Sequence, residues 1–187
     1  MALTKVRGAG AEGLTLSSTS LTVANGLTLS DGDVTLASGH GVSFASTSDG
    51  TGMSAELMDD YEEGVFTATL DNSVTLHSSA DSLAYTKIGR QVMVCGQIRI
   101  SSSGSSAVII NNLPFTSMDG ADQSEYTFGI ARLYEYNMPS DSKYVGCYTV
   151  ASDTRLYFTN VRDDSTTDPL LSDQNGYLMF TCSYFAA

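Results

Sequence analysis

The sequence has no tryptophan and only three prolines, three cysteines and two histidines among its 187 residues. Cys95, Cys147 and Cys182 are odd in number, far apart and free of CxxC spacing. They fit neither a disulfide framework nor a zinc site, and read as small buried residues of a chain assembled in a reducing cytosol. Basic residues are also scarce: nine Lys and Arg against 21 Asp and Glu give a net charge of −12 and a pI near 4.2. That balance argues against nucleic acid, whose phosphates are met by clustered Lys and Arg, and against anionic membrane surfaces. No run approaches the roughly 18 apolar residues of a membrane span. Met1 is followed by no basic region and apolar stretch, so no signal peptide is expected.

What is abundant is Ser and Thr, 26 and 20 residues, alongside 42% hydrophobic content. The composition predicts a soluble, acidic, β-rich protein. It breaks sharply near residue 57. All ten Tyr and six of the seven Phe lie from Tyr61 onward, whereas the first 56 residues hold nine of the 17 Gly.

The N-terminal part repeats. Gly13-Leu14-Thr15-Leu16 recurs as Gly26-Leu27-Thr28-Leu29, and Leu21-Thr22-Val23, Val34-Thr35-Leu36 and Val42-Ser43-Phe44 complete five apolar-polar-apolar triplets. Each triplet is a minimal β-strand with two apolar side chains on one face, separated from the next by Gly, Asn and Asp turns. So thin a strip has too little apolar surface to fold alone. The cheapest partner is another copy of the chain, and three copies can enclose an axis. The expected trimer core is therefore Leu14, Leu16, Leu21, Val23, Leu27, Leu29, Val34, Leu36, Val42 and Phe44. Residues 53–63, with Met53 and Leu57 on one side, form the single stretch that suits a helix, about two turns long.

From Gly64 onward short strands follow one another at 65–70, 83–88, 90–100, 107–113, 126–134, 144–150, 155–161 and 176–184. The clearest sets Val92, Val94, Ile98 and Ile100 against Met93, Cys95, Gln97 and Arg99. Eight strands joined by Gly, Ser, Asn and Asp turns predict an all-β sandwich, most simply a jelly roll.

Motifs for chemistry are weak. Asp59, Asp60, Glu62 and Glu63 suit a hard cation, but no Asp-x-Asp-x-Asp-Gly loop is present. A solvated acidic turn that caps a strand, or meets Lys87 or Arg90 across a subunit boundary, is the simpler reading. Asp163-Asp164 with Asp168 reads as a second solvated loop. His40 and His77 sit in turns and loops, no Ser occupies a GxSxG elbow, and Gly8-Ala9-Gly10 precedes no helix. No enzyme activity, metal or cofactor is expected. The candidate receptor-binding residues are Arg132, Tyr134, Tyr136, Asn137, Asp141 and Tyr144, around the loop Asn137-Met138-Pro139-Ser140-Asp141-Ser142. Tyr and Arg dominate binding hot spots, and aromatic faces stack on sugar rings. Simple packing of these tyrosines in a sandwich is the alternative.

Asp59-Asp60-Tyr61-Glu62-Glu63-Gly64-Val65-Phe66-Thr67-Ala68-Thr69-Leu70 resembles the DDYEEGTWTPTL opening of C-terminal head modules in tailed-bacteriophage fibre proteins, many from marine phages of cyanobacteria. Tyr85-Thr86-Lys87-Ile88-Gly89-Arg90-Gln91-Val92 and Ile109-Ile110-Asn111-Asn112-Leu113-Pro114-Phe115-Thr116 follow in the family's order. The Gly-Leu-Thr-Leu steps resemble the stalks before such modules. The likeness covers roughly residues 13–117, with Phe66 and Ala68 where the family has Trp and Pro. It implies a homotrimeric virion fibre, assembled in the host cytoplasm: an attachment peptide at 1–12, a β-repeat stalk at 13–56 and a jelly-roll head at 57–187. Leu3, Lys5, Val6 and Arg7 would dock on other virion proteins, and the head would bind a host-surface glycan or protein with three-fold avidity. So few residues before the first repeat suggest a short appendage. The alternative is a structural decoration of capsid or tail with no host ligand.

Overall fold

The computed structural model describes residues 28, 30–37, 40–43, 57–58, 60–71, 74–102, 106–120, 126–163 and 167–187. The chain falls into two units, 1–36 and 37–187. In the first, residues 32–36 carry no regular structure, and Val34 and Leu36 are 63% and 46% exposed. The strand expected at 34–36 is therefore not formed, and among the described residues no strand pairs with it. Leu14, Leu16, Leu21, Val23, Leu27, Leu29 and Phe44 lie outside the described residues, as do Leu3, Lys5, Val6 and Arg7.

In the second unit a short pair joins β1 (Val42–Ser43) to β2 (Leu57–Met58), with Val42 exposed. The helix expected over 53–63 is corrected: Leu57–Met58 is strand, and so is all of β3, Tyr61–Thr67. Tyr61, Glu63 and Val65 alternate with Glu62, Gly64 and Phe66, and this period-2 pattern overrides the weak one-turn spacing of Met53 and Leu57.

The rest is one large antiparallel sheet. Its strands are β3, β4 (Thr69–Leu70), β5 (Ser82–Ile88), β6 (Gln91–Arg99), β7 (Ile109–Asn111), β8 (Thr127–Tyr134), β9 (Ser142–Thr149), β10 (Leu156–Arg162), β11 (Thr167–Pro169) and β12 (Tyr177–Phe185). Their order is β3-β5-β6-β12-β8-β9-β10-β7-β4, with β11 paired to β10. Two meanders, β3-β5-β6 and β8-β9-β10, are thus joined by the C-terminal strand. This differs from the expected jelly roll, which is two Greek keys. The reason lies in β12: its nine residues pair along the whole of β6 on one side and with β8 on the other.

The two ends of the sheet, β3 and β4, are consecutive in the chain and separated by Ala68 alone. The sheet is therefore nearly closed. Asn112 clasps the join: its Nδ2 donates to Thr67 O at 2.6 Å, and its Oδ1 accepts from Thr69 N–H at 3.1 Å. Ala68 N–H donates to Asp81 O at 2.6 Å. The core inside holds Val92, Val94, Ile98 and Ile100, all fully buried, with Leu178, Cys182 and Tyr184 opposite. Phe158 of β10 meets Phe180 of β12 edge-on, 5.1 Å between centroids, and Tyr184 Oη donates to Phe115 O at 3.0 Å. The three cysteines are free thiols, with Cys147 and Cys182 buried.

Candidate functional site

The site grows from the end of β8. After Tyr134 the chain turns at Glu135, whose φ of 52° is left-handed, and this swings Tyr136 back towards the sheet. The Tyr136 ring lies against Gly176, where any side chain would meet it, and its hydroxyl donates to Leu171 O at 2.5 Å. Burial, and then the charge of Asp173, raise the Tyr136 phenol well above its usual range, so it remains a donor. Asn137 N–H donates to the Asp173 carboxylate, which pins the next residue.

This loop faces β10 and β11 across a cavity of about 560 Å³. One wall is apolar, made by Met138, Pro139, Pro169 and Leu171; the other presents Asn160, Arg162 and Asp168. Arg162 stands between two carboxylates. Its Nη1 donates to Asp141 Oδ2 at 3.3 Å, and its Nε lies 2.7 Å from Asp168 Oδ2 without hydrogen-bond alignment. Asn160 is 4% exposed, and its Oδ1 has no hydrogen-bond partner among the described residues. That acceptor is closed off from the cavity, and leaving it unmade costs about 1–3 kcal/mol.

A smaller cavity of about 310 Å³ shares Asp168 and Pro169 and is lined also by Tyr148 and Tyr157. Their rings stack at 5.4 Å and 20°. Together the two hollows flank β11. The surroundings are acidic: Asp141, Asp168 and Asp173 stand against Arg162, and Lys143 is already paired with Asp163 at 3.2 Å. Among the described residues no three His, Cys, Asp or Glu side chains gather to hold a metal. Nor is any helix there long and apolar enough to cross a membrane.

The six residues expected to form one recognition surface divide in two. Tyr136 and Asn137 line the cavity and Asp141 holds its Arg162. Arg132, Tyr134 and Tyr144 instead point outward from β8 and β9, on a different face. Tyr136 forms wall and hydrogen-bonded anchor rather than a free stacking platform. Asn160, Arg162 and Asp168 went unrecognised in the sequence. The signal was the acidic run after Arg162, which reads as a solvated loop until β11 folds back on β10 with Asn160 opposite Asp168. In the acidic stretch Asp60 pairs with the buried Lys87, Glu62 accepts from Tyr85 and Glu63 from Tyr61, while Asp59 lies outside the described residues.

Fold and site together define an all-β, nearly closed antiparallel barrel with a polar-walled hollow beside one edge strand. In comparisons with known proteins the chain matches no family model, no curated protein and no solved structure.

Proposed function

We propose that the protein is a fibre or appendage component of a bacteriophage particle whose C-terminal unit binds a neutral glycan of the host surface. The observation that carries the binding reading is the 560 Å³ cavity itself, where the apolar Met138, Pro139, Pro169 and Leu171 meet the polar side chains of Asn160, Arg162 and Asp168. A sugar suits both walls. Its hydroxyls donate to the half-exposed Asp168 carboxylate, and its apolar ring face lies on Met138 and Pro169. Hydrogen bonds to charged groups contribute about 1.5–3 kcal/mol each. The acidic surroundings disfavour phosphate or carboxylate ligands, which gives the neutral class. The neighbouring hollow beside Tyr148 and Tyr157 suits a second sugar unit. Binding by one such site is weak, and a homotrimer, with other virion proteins held at the N-terminus, converts it into avidity. The phage assignment rests on the sequence resemblance at 13–117.

A binding panel of neutral, amino and anionic glycans, read with full-length protein, tests this. Neutral glycans are expected to bind and anionic ones not; Asp168→Ala should abolish the signal. Binding that survives Asp168→Ala, or that favours anionic glycans, would falsify the cavity reading. A second reading, a structural appendage without host ligand, draws on the wide apolar outer face of the sheet. It predicts that particles lacking the protein are less stable yet adsorb to cells normally.

A further inference from the structure

Strand β8 is built inside out. Its inward positions carry Thr127, Gly129, Ala131 and Leu133, whereas Phe128 and Ile130 point outward and are 58% and 60% exposed. The outward side chains are arranged rather than scattered. Phe128 folds over Gly146 of β9, where a side chain would collide with its ring, and meets Tyr144 edge-on at 6.4 Å.

The register carries this face across the sheet. Ile130 stands opposite Thr181, Ser183 opposite Met93, Met93 opposite Thr86, and Ile88 opposite Tyr61. Side chains on one face alternate with period two, so Tyr61, Val65, Ile88, Met93 and Phe185 share the outer side with Phe128 and Ile130. Nine large apolar side chains there, with Tyr134 and Tyr144, are 43–72% exposed. Five of the nine are aromatic and carry roughly 150–250 Å² each, so half exposed these alone leave on the order of 500 Å², to which Val65, Ile88, Met93 and Ile130 add. The largest patch on an ordinary monomer is about 300–600 Å², and a standard interface takes about 800 Å² from each partner.

Charge says what covers it. In a chain of net charge −12 the carboxylates of this face stand at its rim: Glu63 at the β3 edge, and Glu135, bonded by the Tyr134 hydroxyl, just past the end of β8. Glu63 stands on its β3 edge, bonded only by Tyr61 Oη at 2.7 Å. On its β8 edge stands Arg132, whose guanidinium reaches Met179 Sδ at 3.6 Å and is outside the ion pairs of the described residues. An acidic and a basic edge on one surface suit a partner carrying the same two edges.

We propose that a second copy of this chain covers the outer face of β3-β5-β6-β12-β8, with the Glu63 edge of one copy meeting the Arg132 edge of another. The inference does not rest on the glycan cavity, which lies elsewhere on the unit. It also differs from association through the N-terminal repeats.

Oxidation of Met93 by dilute hydrogen peroxide, followed by mass spectrometry on the full-length protein, tests it alongside light-scattering mass. Met93 should oxidise about tenfold slower in the wild type than in Ile130→Asp, a protection of about 1.4 kcal/mol. Ile130 is exposed in the single chain, so the variant should keep the wild-type circular dichroism. Glu63→Arg should also unprotect Met93, and Glu63→Arg with Arg132→Glu should restore protection. If the variants lose protection while the mass stays oligomeric, the face still stands and the N-terminal segment holds the copies together. Equal Met93 rates in wild type and Ile130→Asp, or protection of Met93 in a monomer, would overturn the proposal. Glycan binding by a single site, read with a soluble monovalent glycan, is a separate readout that neither result decides.

Discussion

Asn160 shows how a single side chain can divide stability from recognition. Its neighbours on β10, Leu156 and Phe158, are fully or almost fully buried hydrophobes, and an apolar residue at 160 would continue that row. Asn160→Leu should leave stability unchanged within roughly 1 kcal/mol or raise it, because an unmade buried acceptor is removed. The same change takes a polar side chain from the cavity wall and should weaken glycan binding; a melting curve and a titration on one sample check both halves. Asp153 is a second residue whose environment fixes a measurable property. Burial pulls its carboxyl up, but hydrogen bonds from Arg155 Nε at 3.0 Å, Tyr157 Oη at 2.8 Å and Thr154 N–H at 2.8 Å outweigh that, and the carboxyl titrates below its usual range. A carboxyl depressed in the folded state contributes stability above its unfolded pKa of about 3.9 and loses it as pH falls through the folded value. The melting temperature should thus drop more steeply below about pH 4 in the wild type than in Asp153→Asn. Parallel curves would show that Asp153 carries no such linkage. Tyr157 has the opposite sign: burial, and then Asp153, push its phenol up to about 12. Its contribution is full below the unfolded pKa of about 10 and is lost as pH rises through the folded value.

At the scale of elements, the clasp at Asn112 decides whether the sheet closes. β3 pairs with β5 and β4 with β7, so the chain changes partners at Ala68, and one amide side chain bridges the backbone groups on either side. Asn112 also has a φ of 57°, a conformation Asn tolerates better than other side chains. Asn112→Ala loses both hydrogen bonds and strains the backbone, an expected cost of about 2 kcal/mol. For a chain of this size that is roughly 4–8 °C of melting temperature, readable by calorimetry. An unchanged melting temperature would remove the clasp from the account. The eight strands from Gly64 onward were legible because alternation is local: Val92, Val94 and Ile98 are the buried face of β6, and Ile100 just past its end continues the row. Strand order was not, since nothing within Tyr177–Phe185 says that it pairs with both β6 and β8. The short helix was misread at 53–63 because two apolar residues one turn apart are weaker than a period-2 run with Phe66 and Val65 in it. Of the cavity, Tyr136, Asn137 and Asp141 stood out as aromatic and polar loop residues. Asn160 and Arg162 looked like ordinary strand alternation, and only the folding of β11 onto β10 turns them into a wall.

For the whole molecule, three features point towards assembly. The N-terminal triplets offer two apolar side chains at a time, and Val34 and Leu36 are exposed. The outer sheet face offers apolar surface approaching that of a standard interface. The proposed glycan cavity, lined from β10 and β11, would gain most when several copies present it together. Each of these concerns a different part of the chain, and each is consistent with association of copies. The light-scattering mass of the full-length protein, measured beside a version beginning at Glu56, tests that claim most directly. A full-length mass near three times 19.8 kDa is the predicted result, and a fall on truncation would locate the trimerising segment before residue 56. A monodisperse monomer of 19.8 kDa at full length would contradict the account.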